Sequence, residues 1–169
     1  ITIEDDVARF DEHVDLPSRW RDMPRIGVRF EVPAALDRVE WFGLGPHETY
    51  PDRRSSATIG RWKSTVDEQY HPYVVPQEHA AHVDTRWLTL TGDGGRGLRV
   101  EGARPLVMTA RSHHDAALTA AATLADLERA VTTEVHVDAA VRGLGTDACG
   151  PDTLPEYRIG AGTHRWTWY

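Results

Sequence analysis

The chain has 169 residues, 40% hydrophobic and 27% charged, with a formal net charge of −7, which suits one globular domain with a real core and excludes a disordered tail. The negative balance excludes nucleic acid as the natural partner, since phosphates want a basic face, and no run approaches the roughly 18 apolar residues of a membrane helix. No basic leader followed by an apolar stretch is present, and the lone cysteine, Cys149, rules out an internal disulfide and fits a reducing, cytoplasmic compartment. A chain that opens on Ile1 and not on Met reads as a piece excised from something longer.

In chain order, Ile26, Val28, Phe30 and Val32 alternate with Gly27, Arg29 and Glu31. That period of two predicts a half-buried strand, stopped by Pro33. Val39-Glu40-Trp41 begins an apolar run that leads into the densest stretch of the chain, Gly43-Leu44-Gly45-Pro46-His47-Glu48-Thr49-Tyr50-Pro51-Asp52-Arg53. Two prolines fix φ there and two glycines free it, so the loop is held in one shape. Such a loop places His47, Glu48, Tyr50, Asp52 and Arg53 at a surface or interface. Leu98–Glu101, Leu106–Met108, Val135–Asp138 and Trp166–Trp168 are further short strand-like runs. Gly92-Asp93-Gly94-Gly95, Gly102 with Pro105, Gly143 with Gly145, and Gly160 with Gly162 separate them. His114 to Ala130 differs: rich in Ala and Leu, free of Gly and Pro, it predicts one helix or two short ones, with Ser112 or Asp115 as cap. Many short strands at this spacing predict an all-β sandwich. No internal repeat or low-complexity tract interrupts it.

The loop Gly43–Arg53 resembles, nearly residue for residue, a motif of the C-terminal domain of the large bacterial β-galactosidases of glycoside hydrolase family two. Three more segments agree, in order. Pro24-Arg25-Ile26-Gly27-Val28 looks like the family's PRIG segment. Pro72-Tyr73-Val74-Val75-Pro76-Gln77-Glu78-His79 looks like its PYV-PQEN segment, with Thr85-Arg86-Trp87-Leu88 after it. Gly143-Leu144-Gly145-Thr146-Asp147-Ala148-Cys149-Gly150-Pro151 looks like its late glycine-rich loop. The resemblance implies that residues 1–169 form a C-terminal, domain 5-like β-sandwich, an antiparallel super-sandwich of the galactose-mutarotase-like type, truncated at its N-terminal side. It also implies a parent that hydrolyses terminal β-galactosides such as lactose with retention and works as a homo-oligomer. The family's catalytic carboxylates and its magnesium and sodium ligands lie in other domains, so no catalytic residue and no metal ligand is expected in this chain.

The late loop carries the site expectation. In the family this loop presents an aromatic ring to the sugar, and Cys149 stands at that position; Cys149 and Asp147 are therefore the expected substrate-binding residues. A free cysteine is otherwise most often a small buried residue. Departures from the family pattern are Thr49 after Glu48, His79-Ala80 after Glu78, and Thr123 in the helical segment. Among the acids, Glu48, Asp52 and Glu78 read as partners for Arg53, Arg54 or Arg86 and not as an acid/base pair. His113 and His114, being adjacent, cannot face one metal from a helix, and no H-x-x-x-H with a third ligand appears. Trp41, Trp87, Trp166 and Trp168 fall in strands and are expected in the core, leaving Trp20 and Trp62 as surface rings able to stack on a sugar. Two other readings remain. A free-standing carbohydrate-binding module needs exposed rings on a concave face. An aldose epimerase needs a cleft with a convergent His–Glu pair at His47 or His136.

Overall fold

The computed structural model describes residues 1–146 and 149–169. Strands are β1 (Thr2–Glu4), β2 (Val7–Leu16), β3 (Arg25–Pro33), β4 (Arg38–Gly45), β5 (Thr58–Thr65), β6 (Ala81–Thr91), β7 (Gly97–Arg111), β8 (Thr132–Val141) and β9 (Gly162–Trp168). Every ladder is antiparallel. The order is β1-β2-β9-β7-β6-β4-β5, with β8 on the far half of β7 and β3 on β8. The all-β expectation therefore holds. The helical segment 114–130 resolves into one α-helix, α1 (Asp115–Ala120), and a single 3₁₀ turn at Leu124–Asp126. Two more 3₁₀ turns, Asp93–Gly95 and Pro155–Tyr157, sit in loops. No helix of the described residues is long and apolar enough to cross a membrane.

β7 ties the layers together because its two halves pair with different strands. Its first half pairs with the end of β6, Gly102 touches Trp168 of β9, and Leu106–Arg111 pair with β8 and the start of β6. Pro105 has no amide to give to a ladder, and the register of β6 opposite it is broken by irregularities near Thr85. The β2–β9 ribbon packs over the core face of the larger sheet. There Trp168 stacks on Phe10 at 4.0 Å and on Phe30 at 5.8 Å between ring centroids. Around it pack Trp41, Leu88, Leu90, Leu106, Met108, Val135 and Val137. Each buried side chain of this size contributes about 1.5–3 kcal/mol of transfer free energy.

The strand β8 departs from the half-buried pattern. Val135 and Val137 face this core, yet Glu134, His136 and Asp138 on the opposite face are also buried. The irregular segment Tyr70–Ala80 and the start of α1 supply groups that meet that second face, so a polar alternation here does not mean solvent. Of the tryptophans, Trp41, Trp166 and Trp168 are core and Trp20 is exposed. Trp87 is only half-buried, with the guanidinium groups of Arg61 and Arg99 over its ring at 5.6 and 4.6 Å from the centroid. Trp62 packs against the core and donates its indole N–H to the Gly43 carbonyl at 3.3 Å, so neither ring matches its sequence expectation.

Candidate functional site

The early loop and the late loop are joined. After β4 the chain turns back on itself: Arg53 N donates to Tyr50 O at 2.9 Å, and Tyr50 N to Arg53 O at 3.3 Å. This tight turn swings Asp52 toward the late loop, where its carboxylate accepts the amides of Leu144 (3.1 Å) and Gly145 (2.8 Å). The glycines follow from that contact. A Cβ on Gly143 would stand 2.7 Å from the Asp52 carboxyl carbon, and Gly145 holds φ at +66°, where side chains are costly. Asp52 thus serves backbone and not Arg53 or Arg54, contrary to the sequence expectation.

A second clamp holds the other side of the late loop. Arg142 donates to Asp22 (2.7 and 3.1 Å), Asp152 (2.7 Å) and the hydroxyl of Thr153 (2.7 Å). The Thr153 hydroxyl donates a hydrogen bond to Gly143 O at 2.8 Å, and Arg158 binds Asp152 at 2.8 Å. The bonds from Arg142 hold the Asp22 and Asp152 carboxyls below the usual range. Beyond these clamps the chain closes on itself through Thr146 and Pro151, and Cys149 N donates to Thr146 O at 2.9 Å. Cys149 is exposed, not buried. The other expected substrate contact, Asp147, lies outside the described residues.

Beside the early loop is a surface depression of about 470 Å³ lined by His47, Glu48, Arg53, Ser55, Ser56, His71 and Tyr73. Its charges already satisfy one another. Tyr73 donates its hydroxyl proton to Glu48 and accepts from Arg53 at 3.1 Å. Glu48 also accepts the Ala80 amide at 2.9 Å and lies 3.6 Å from Arg53. The Glu48–Arg53 pairing matches expectation; Arg54 pairs instead with Asp84.

The third feature is the ionic cluster on the second face of β8. Arg111 is fully buried, and its guanidinium reaches Glu134 (2.8 Å), Glu78 (3.1 Å) and Asp115. Arg25 reaches Glu78 (2.6 Å), Asp138 (3.2 Å) and His136. Glu78 therefore meets Arg25 and Arg111, not Arg53, Arg54 or Arg86. Burial pushes the Glu134 carboxyl up, but bonds from His136, Arg111 and Arg29 (2.6 Å) outweigh it and hold it well below the usual range. Burial lifts Asp138 to about 7 despite Arg25. Burial also keeps His136 neutral; with its proton on Nε2 it donates to Glu134 at 3.0 Å while Nδ1 accepts from Arg25.

This cluster meets two of the alternatives. Asp115, Glu134 and His136 converge closely enough to hold a cation, but the Arg111 guanidinium occupies the point of convergence. A fixed positive charge there opposes a metal ion on Coulombic grounds. The convergent His136–Glu134 pair that an epimerase needs is present, yet both residues are sealed at 1% exposure or less and held by arginines. The surface depression beside the early loop does not include either residue. Glu134 also replaces the expected helix cap: its carboxylate accepts the Asp115 amide at 3.1 Å, and neither Ser112 nor Asp115 caps α1. The sequence offered one signal for this cluster, Glu134, His136 and Asp138 at every second position of a strand; their partners are distant in the chain.

The fold and these loops define an antiparallel β-sandwich module with a glycine-rich loop whose base is clamped from two sides. The chain belongs to the β-galactosidase small-chain family, whose family model matches residues 2–168. It is similar to the β-galactosidase of Arthrobacter sp. (strain B7), 38% identical over 151 residues, covering 85% of this chain and 15% of the relative. The β-galactosidase of Priestia megaterium is 35% identical over 139 residues (82% of this chain, 13% of the relative). That of Aeromonas hydrophila is 32% identical over 168 residues (96% and 16%). The chain thus spans about a sixth or less of the length of these curated relatives.

Proposed function

We propose that this chain is the non-catalytic C-terminal part of a retaining β-galactosidase, and that it completes the rim of the substrate site while supporting the assembly of the other domains. The observation that carries this reading is the late loop: its base is clamped by Asp52 and Arg142, and its tip presents Cys149 to the outside. A base so held fixes where the loop leaves the fold, which lowers the ordering cost of meeting a sugar. Four carboxylates near the loops and the buried cluster are already committed: Glu78, Glu134 and Asp138 to arginines, Glu48 to Tyr73 and Ala80. Retaining hydrolysis needs a free pair about 5–5.5 Å apart. In this reading the pair, the magnesium and the sodium belong to other domains, the sheet is completed into a super-sandwich by preceding strands, and the homo-oligomeric parent works in the cytoplasm on galactosides such as lactose.

Two experiments test it. The purified chain should show no turnover of a chromogenic β-galactoside above buffer; a rate abolished by Glu48→Gln or Glu78→Gln would overturn the non-catalytic assignment. In the full-length parent, Cys149→Trp should supply a stacking surface and lower KM about fivefold, the low end of what ring contacts contribute. Unchanged kinetics for that variant, with a large loss on altering His47 or Tyr50, would move the substrate contact to the early loop.

A further inference from the structure

We propose that Asp52 is a positioning residue for galactoside binding, acting through the backbone of the late loop; this rests on the reading that the late loop meets the substrate. The sequence places Asp52 in a different motif, ninety-two and ninety-three residues before the two amides it holds. Its carboxylate makes the hydrogen bonds that fasten the early loop to the late one, beside the apolar packing of Leu144 on the cluster of Leu44 and Tyr50. Its two oxygens divide the work: Oδ1 takes the Leu144 amide and Oδ2 the Gly145 amide. A bidentate acceptor fixes the direction of the peptide planes as well as their distance. The residue at Gly143 has no Cβ, so the carboxyl group can lie flat against the strand end. The opposite clamp, Arg142 through Thr153 to Gly143 O, holds the same turn from its other side. Between the two clamps the loop base has little freedom, and the direction in which its tip leaves the fold is set by Asp52.

An amide cannot do this. Asn at position 52 accepts one of the two N–H groups and points its own NH₂ at the other, so the loop must reorient or lose a bond. In the full-length enzyme Asp52→Asn is expected to raise KM for a chromogenic β-galactoside about fivefold while kcat stays within about twofold, a split that general destabilisation does not produce. The gain from Cys149→Trp should vanish in the Asp52→Asn background, and hydrogen exchange at Leu144 and Gly145 should quicken. Gly143→Ala, which presses on the same carboxylate from the loop side, should move KM in the same direction and decides the matter if Asp52→Asn fails to fold. If Cys149→Trp lowers KM equally in both backgrounds, the loop still meets substrate but Asp52 does not position it. If Cys149→Trp changes KM in neither background, the substrate-facing reading fails, and this proposal with it.

Discussion

The imidazole of His82 lies on the indole of Trp41, ring centroids 4.0 Å apart, and both residues are 1% exposed. Complete burial drives His82 down to about 3 from an ordinary value near 6.5. Its Nε2 donates to Gln69 Oε1 at 2.5 Å, and the backbone groups of Leu44 and His47, which favour the charged ring, do not offset the cost of burying an imidazolium.

Stability should therefore fall as pH drops from about 6.5 toward 3, because the unfolded chain binds a proton in that window and the folded chain does not. The slope contributed by this one group is at most about 1.4 kcal/mol per pH unit. His82→Phe keeps a ring on Trp41 and removes the titration. The variant should lose less of its urea midpoint than the parent between pH 6.5 and 4.5; equal slopes would show that His82 is not held neutral.

Gly27 faces Asp138 across the β3–β8 ladder at a point where the register shifts. A Cβ there would stand 1.9 Å from Asp138 Oδ1 and 2.7 Å from the Asp138 Cα. The second distance is to backbone, so no rotamer change relieves it. Gly27→Ala should cost about 2 kcal/mol or more through displacement of the two strands. Chemical denaturation measures this directly, and a loss under about 0.5 kcal/mol would mean that the strands separate freely.

These two sites show what the sequence carried and what it withheld. The alternation Ile26-Val28-Phe30-Val32 and the runs at 39–41, 135–138 and 166–168 each fall within an observed strand, but 98–101 and 106–108 share one strand, β7, which Gly102 and Pro105 do not end. The strands β2 and β5 left weaker marks: Arg9, Asp11, His13 and Asp15 line one side of β2, and β5 is interrupted by Gly60. The family motifs marked Gly27, Asp52 and Gly143 without saying why. The reason lies in partners 92 to 111 residues away, Asp52 with Leu144 and Gly27 with Asp138. Ion pairing was legible as a theme, but Asp52 and Glu78 found other partners, since proximity in sequence does not bring charges together once the chain folds.

The buried cluster yields the last prediction. Glu134 and Arg111 are both fully buried and 2.8 Å apart, and Glu134 also accepts from Arg29, His136 and the first amide of α1. Removing the acid's charge leaves Arg111 buried against Glu78 and Asp115 alone. Glu134→Gln preserves the shape of the side chain and still accepts through one oxygen, but its NH₂ must face donors already present. Breaking one partner of a buried pair costs about 3–5 kcal/mol, while replacing the whole arrangement with apolar residues can be neutral. Glu134→Gln should therefore destabilise the chain by about 3 kcal/mol and loosen α1, seen as faster hydrogen exchange at Asp115. The double variant Glu134→Leu with Arg111→Met should recover much of that loss. Equal destabilisation of the single and double variants would show that the cluster is held by Glu78, Arg25 and Asp138, with Glu134 a bystander.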